Sequence, residues 1–210
     1  MAPHPNSDPA PESSISLPAT DAEITAETSV ETSAELPGSP EVLAEPDRPP
    51  VTFQATVLEG RQRQIEAQIE IPRPRAEVWQ VLTDYNALAE FIPNLTHSTR
   101  LDHPEGKIHV EQVGSKRFLK LNFSARVVLE MTEECPQAIH FQMVAGDFRD
   151  FSGVWQLQPL EDSEGTQLTY RVKVWPKRTM PIKLVENSMR TDLPQNLLAI
   201  YQRVLNIPSE

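Results

Sequence analysis

The side chains able to do chemistry in this sequence are few and poorly clustered. His97, His103, His109 and His140 are not spaced as HxH, HExxH or HxxE. Those are the spacings that aim two ligands at one ion, so no metal site is expected. Cys135 stands beside Pro136 with Glu133 and Glu134 before it, where neighbouring negative charge discourages a thiolate. As the one cysteine of the chain it can form neither an internal disulfide nor a cysteine metal site. No G-x-S-x-G is present to raise a serine nucleophile. Asp84 and Tyr85 could be an acid/base pair near a sheet edge, although capping and packing account for them better. Asp147 and Asp150 flank Arg149 and read as a stabilised turn. Tyr170 and His109 are the polar candidates beside a cavity. His109 has the parity opposite to Ile108 and Val110, so it should face outward. No catalytic residue and no cofactor is assigned.

These residues are carried by elements with clear periodicities. VTFQATVL, from Val51, reads as a short strand that pairs with the segment after it. RQRQIEAQIEI then alternates, with Ile65, Ala67, Ile69 and Ile71 on one face and Gln64, Glu66, Gln68 and Glu70 on the other. That pattern predicts a half-buried strand. Pro74 suits the opening turn of a helix; Val78, Val81, Leu82 and Tyr85 follow at helical spacing, widened by Trp79. A second short helix is expected from Asn86 to Phe91. From Leu95 to Pro176 the period is two, and six strands are predicted near 96–103, 107–114, 117–130, 138–145, 150–160 and 166–175. Turn clusters such as Asp-His-Pro-Glu-Gly and Glu-Asp-Ser-Glu-Gly separate them. Ile182, Val185, Met189, Leu193, Leu197, Ile200 and Val204 then mark a long helix. Pro194 must kink it or divide it after Asp192.

The charge is unevenly distributed. The chain has 210 residues and a net charge of −11. Residues 1–50 hold ten of the 20 prolines and ten acids against one base, a net −9, with no aromatic residue. They read as a disordered, acidic, Pro-rich tail acting as a solubilising spacer or a partner-binding segment. Residues 51–210 are nearly neutral and of a size to form one domain, burying roughly 70% of the unfolded chain's surface. Nothing approaches ~18 consecutive apolar residues, the N-terminus has no secretory or transit pattern, and no basic excess exists to displace counterions from phosphates. The reading is a cytoplasmic protein, with peripheral membrane contact as an option, and no nucleic-acid partner.

IPRPRAEVWQVLTDYNALAEFIPNL, at 71–95, and GDFRDFSGVWQL, at 146–157, resemble the two landmarks of the polyketide cyclase/dehydrase and coenzyme Q-binding START-type branch of the START-like (SRPBCC) superfamily. The pattern is most similar to its cyanobacterial and plastid members, and the resemblance spans about residues 60–205. It implies an α+β helix-grip fold, in which a seven-stranded curved antiparallel sheet wraps a long C-terminal helix and two short helices follow the first strand. A bent sheet and one helix cannot meet everywhere, so a tunnel is expected between them. Its expected walls are Leu119, Leu121, Phe123, Val127, Phe141, Met143, Trp155, Leu157, Tyr170 and Val172 from the sheet, and Met189, Leu193 and Leu197 from the helix.

Antiparallel parity puts four connections at one end of the sheet. There Lys116, Arg117, Arg149, Lys177 and Arg178 gather, with Lys183 close behind and Phe148 and Met180 as exposed apolar tips. This basic end is the expected cavity mouth, suited to an anionic membrane or headgroup; solvated loop tips are the plainer explanation. Three functions follow. The first is binding or transport of a hydrophobic small molecule, such as a lipid, an isoprenoid quinone or a pigment intermediate. The second is a cyclase or dehydratase acting on a hydrophobic substrate. The third is a protein-interaction module.

Overall fold

The computed structural model describes residues 41–43, 49–118, 121–161 and 163–208. Its elements are β1 (Glu41–Leu43), β2 (Val51–Val57), β3 (Arg63–Ile71), α1 (Arg75–Thr83), α2 (Leu88–Phe91), β4 (Leu95–Leu101), β5 (Ile108–Phe118), β6 (Leu121–Glu134), β7 (Ala138–Gly146), β8 (Phe148–Pro159), β9 (Thr166–Pro176) and α3 (Ile182–Leu205). The strands form one sheet in the order β1-β2-β3-β9-β8-β7-β6-β5-β4, antiparallel throughout. Seven strands were expected. Among the described residues the sheet has eight full strands, β2–β9, and the three-residue β1 at its edge. The added full strand is VTFQATV, which buries Val51 and Phe53 and pairs with β3 from Thr52↔Gln68 to Val57↔Arg63. β1 lies within the stretch read as tail and pairs with β2; residues 1–40 and 44–48 lie outside the described residues.

The alternation in β3 and β9 positions the centre of the sheet. Ile65 faces Val172, Ala67 faces Tyr170 and Ile69 faces Leu168, and all six are buried. Directly opposed apolar pairs of this kind hold two strands in register. Glu66 and Arg171, opposed on the other face, are joined Oε2 to Nε at 2.7 Å.

Pro74 directly precedes α1, and its carbonyl accepts from the backbone N–H of Glu77 and Val78 at 3.0 and 3.3 Å. Val78, Val81 and Leu82 are the buried face of that helix. α3 has 24 residues, about 36 Å of rod at 1.5 Å per residue. It is not divided at Pro194, which is buried inside it. Proline removes the N–H that would bond the Arg190 carbonyl, but packing on both sides of this position keeps one helix. The buried residues of α3 are Leu184, Val185, Pro194, Leu197, Ile200 and Val204. Met189 and Leu193, on the same predicted stripe, are only partly buried. The helix packs closest on β2 and β3, with α1 and α2 beside it, so it sits nearer to one flank of the sheet than to the other.

Candidate functional site

The flank farther from α3 encloses a cavity of ≈ 290 Å³. β5–β8 supply its floor through Gly114, Ala125, Val127, Leu129, Met131, Ile139, Phe141, Phe148, Phe151 and Trp155, and β9 adds Tyr170. Leu82, Tyr85, Leu88, Ile92 and Leu95 close one side, and Asp192, Leu193 and Asn196 of α3 close the top. A second chamber of ≈ 170 Å³ lies toward the start of α3, against Phe123, Val174, Leu184, Val185 and Met189. Asn94, Gly114, Ala125, Phe148, Phe151 and Asp192 border both chambers. The partial burial of Met189 and Leu193 is thus explained: they face open space where a core residue would meet side chains.

Five aromatic rings form a continuous strip along the larger chamber. Phe148 meets Phe151 at 5.6 Å between centroids, Phe151 meets Phe141 at 5.7 Å, Phe141 meets Tyr170 at 5.8 Å, and Tyr170 stacks on Trp155 at 3.9 Å. Gly153 makes room for this strip. It lies opposite Phe141 on β7 and Val172 on β9, and a Cβ there would come within 2.5 Å of the Phe141 ring and collide with the Arg171 carbonyl. Gly153→Ala is therefore expected to lower stability by about 1–3 kcal/mol, the usual cost of overpacking, and to displace Phe141. Denaturant melts monitored by tryptophan emission check this; an unchanged midpoint would contradict it.

The sheet also opens at this end. β7 and β8 pair only from Ala138↔Gln156 to Gln142↔Ser152. Beyond that β7 continues with β6 to Val127↔Gly146, and β8 with β9 to Phe148↔Pro176. The turn is held against β6, with the Asp147 N–H donating to the Arg126 carbonyl at 2.9 Å and the Arg126 N–H to Asp147 Oδ2 at 2.7 Å. Asp147 thus stabilises the turn, as expected from its place near Arg149.

Most polar groups of the walls already have partners. The Tyr85 hydroxyl donates to Glu133 Oε1 at 2.7 Å, and Asp84 caps α1 through its backbone without lining the cavity. The Ser98 hydroxyl donates to the Tyr85 carbonyl at 2.6 Å, and Gln112 Nε2 donates to Ser98 at 3.3 Å. Lys116 Nζ bonds Asp192 Oδ1 and Thr191 Oγ1, each at 2.6 Å, tying β5 to α3 where the chambers meet. Among the described residues no group of three or more His, Cys, Asp or Glu could hold a metal ion.

Residues 71–200 match the family described as polyketide cyclase/dehydrase and lipid transport. The chain belongs to that family. Three solved structures show the same fold for this polyketide cyclase/dehydrase and lipid transport domain. A STAR-related lipid transfer protein from Xanthomonas axonopodis is 17% identical over 80% of this chain and 99% of its own, with a TM-score of 0.62. A START superfamily protein from Mycobacterium smegmatis is 16% identical over 69% and 99%, with a TM-score of 0.58. An aromatase/cyclase from a Streptomyces species is 16% identical over 69% and 94%, with a TM-score of 0.56. No curated protein matches the sequence.

In this polyketide cyclase/dehydrase domain the sequence-predicted wall residues divide into groups. Val127, Phe141, Trp155, Tyr170 and Leu193 line the larger chamber, and Phe123 and Met189 the smaller. Leu157, Val172 and Leu197 line neither; they are 1%, 1% and 0% exposed, packed into solid core. The reason for Val172 is its place opposite Ile65, on the flank where α3 meets the sheet. Met143 packs against the core without lining either chamber. Leu119 lies outside the described residues, and only the backbone of Leu121 and Arg117 is described.

The mouth is less open in charge than expected. Lys116 is neutralised by Asp192, and Met180 is buried rather than an exposed tip. The N–H of Met180 turns back to the Lys177 carbonyl at 3.1 Å, and the Arg61 guanidinium holds the carbonyls of both residues, directing the methionine inward. Phe148 is half-buried in the cavity wall. Arg149 is exposed with its guanidinium 5.3 Å from the Trp175 ring centre, and Lys177 is exposed with Nζ on the Gly146 carbonyl at 3.0 Å. Arg178 and Lys183 are exposed. His109 faces away and approaches Glu130 at 3.2 Å. Phe151, Tyr85, Asn196 and the α1–α2 residues were absent from the predicted walls. Phe151 shares parity with Trp155 and was legible; the others depend on how separate elements close over the sheet.

Burial pushes the Tyr170 phenol above its ordinary value of 10.0. The Tyr85 phenol is pushed up too, by burial first and then by its bond to Glu133. Both groups hold their protons more tightly in the folded chain than in the unfolded one. Their contribution to stability is complete below pH ~10 and is lost as the pH rises above it. Denaturant melts are expected to show falling stability above pH ~10, with a shallower fall in Tyr170→Phe; equal slopes would contradict this.

Proposed function

We propose that this chain binds and carries a hydrophobic small molecule in the cavity beneath α3. The observation that carries the reading is the cavity itself: ≈ 290 Å³ walled by a strip of five aromatic rings, with the bordering Asp192 carboxylate paired with Lys116. Such a space is stable when an apolar guest supplies the missing contacts. A guest burying ~300 Å² of apolar surface would gain about 7–8 kcal/mol before association costs, consistent with micromolar affinity. The family description includes lipid transport, and the segments at 71–95 and 146–157 support the coenzyme Q-binding branch of cyanobacterial and plastid type. A lipid, isoprenoid quinone or pigment intermediate fits these features. Cyclase or dehydratase chemistry is less well served. A general base works best with a pKa near the operating pH, and the two phenols in the walls are shifted upward, away from neutrality. Native mass spectrometry of protein purified from its source cells tests the proposal. A mass excess removed by organic extraction is expected; protein of bare mass, unable to take up any hydrophobe, would refute it.

The rim supports a route for the guest. Arg149 follows Phe148 in the chain and Lys177 reaches the Gly146 carbonyl beside it; both are exposed, as are Arg178 and Lys183, and each base near an anionic bilayer is worth about 1 kcal/mol. No helix among the described residues is long and apolar enough to cross a membrane, so contact would be peripheral. The pair Lys177→Glu, Arg178→Glu is expected to abolish co-flotation with phosphatidylserine vesicles at 0.1 M salt. Equal flotation of parent and variant would remove the docking step.

A further inference from the structure

Two hydrogen-bond donors in the wall of the larger chamber stand without partners. The Tyr170 hydroxyl and the Trp155 indole N–H make no hydrogen bond among the described residues. The side-chain polar atoms that are both sealed from solvent and unbonded there lie on Arg61, Glu77 and Asn196. The Tyr170 oxygen and the Trp155 nitrogen are not among them, so each keeps accessible surface. Tyr170 as a whole is only 8% exposed, and it lines the larger chamber and not the smaller, as Trp155 does. For a phenol buried this deeply, the chamber is the open space within reach of its hydroxyl.

The fold holds the two donors side by side. Trp155 and Tyr170 are directly opposed on β8 and β9, with ring centres 3.9 Å apart and planes at 24°. Phe141 stacks on Tyr170 as well, at 5.8 Å. These neighbours take up ring surface of the phenol, and its hydroxyl is the polar group it offers to a guest. A guest that fills the chamber displaces any water hydrating the two donors. A pure hydrocarbon would leave both buried and unpaired, which is costly. An indole N–H only donates, and burial makes the phenol hold its proton more tightly. The atom that suits two neighbouring donors has two lone pairs and no proton of its own to place, as a carbonyl oxygen does. Resting on the binding function above, we propose that the cavity selects a carbonyl-bearing hydrophobe, whose C=O accepts from the Tyr170 hydroxyl with the Trp155 N–H as second donor.

The test uses one bicyclic skeleton in three forms, tetralin, 1-tetralone and 1-tetralol, each displacing the neutral fluorophore N-phenyl-1-naphthylamine from the full chain. The ratio of ketone to hydrocarbon affinity is expected to fall about fivefold in Tyr170→Phe, the size of one neutral hydrogen bond. Because the compounds match in shape, a general loosening of the variant cancels in that ratio. Trp155→Phe should lower the same ratio, and it carries the measurement if Tyr170→Phe does not fold. The infrared C=O stretch of bound, isotope-labelled 1-tetralone should lie lower in the parent than in Tyr170→Phe. An unchanged ratio, an unshifted stretch, or 1-tetralol binding more tightly than 1-tetralone would each overturn the inference and leave the carrier function standing. Failure of the fluorophore and all three compounds to bind would overturn both.

Discussion

Ala125→Trp is expected to abolish uptake of a hydrophobic guest while leaving the domain folded. Ala125 borders both chambers from β6, so an indole at this position projects into the space where they join. The affinity for N-phenyl-1-naphthylamine should fall at least 100-fold, equivalent to about 2.7 kcal/mol. The melting temperature should hold or rise, because an indole in an apolar void gains dispersion contacts that the void denies its lining. Fluorescence titration and a thermal melt on the same samples check both halves. Undiminished affinity would place the guest elsewhere on the protein. A collapse in stability would mean that the space is smaller or more rigid than its lining indicates.

The second large effect concerns two leucines one turn apart on α3. Leu197 is 0% exposed and lines neither chamber, whereas Leu193 lines the larger one. Truncating a fully packed leucine removes its contacts and leaves a new void, costing about 3–5 kcal/mol. Leu193 already faces space on one side, so fewer contacts are lost and an existing cavity is merely enlarged; about 1–2 kcal/mol is expected. Urea melts of Leu197→Ala and Leu193→Ala give the comparison directly. Equal costs would mean that Leu193 is packed like a core residue and that the cavity beneath it is not open.

That contrast also explains how far the sequence could be read. Alternation places Ile65, Ile69, Leu168 and Val172 inward, and the structure buries all four. Helical spacing marks α3 across Pro194. Both patterns report the face on which a side chain lies, and a core leucine and a cavity leucine have the same parity. What separates Leu197 from Leu193, or Val172 from Tyr170, is where α3 settles on the sheet. It rests toward β2 and β3, a tertiary choice that no local period encodes. The α1–α2 wall was overlooked for a related reason: Leu82, Tyr85 and Leu88 carry an ordinary amphipathic pattern, and only the closed fold shows them facing space. Met180 was misplaced because its turn bends inward under Arg61, more than a hundred positions away in the chain. VTFQATV is too short for its alternation to show that it adds a full strand to the sheet, and its partner β3 is recognisable without it.

The central claim is that the space beneath α3 exists to hold an oily guest. A crystal structure of the protein purified from its source cells tests it most directly. Continuous density for a small molecule against Phe141, Trp155 and Tyr170 is the predicted result. A chamber closed by inward-turned side chains, or filled only by ordered water, would contradict it.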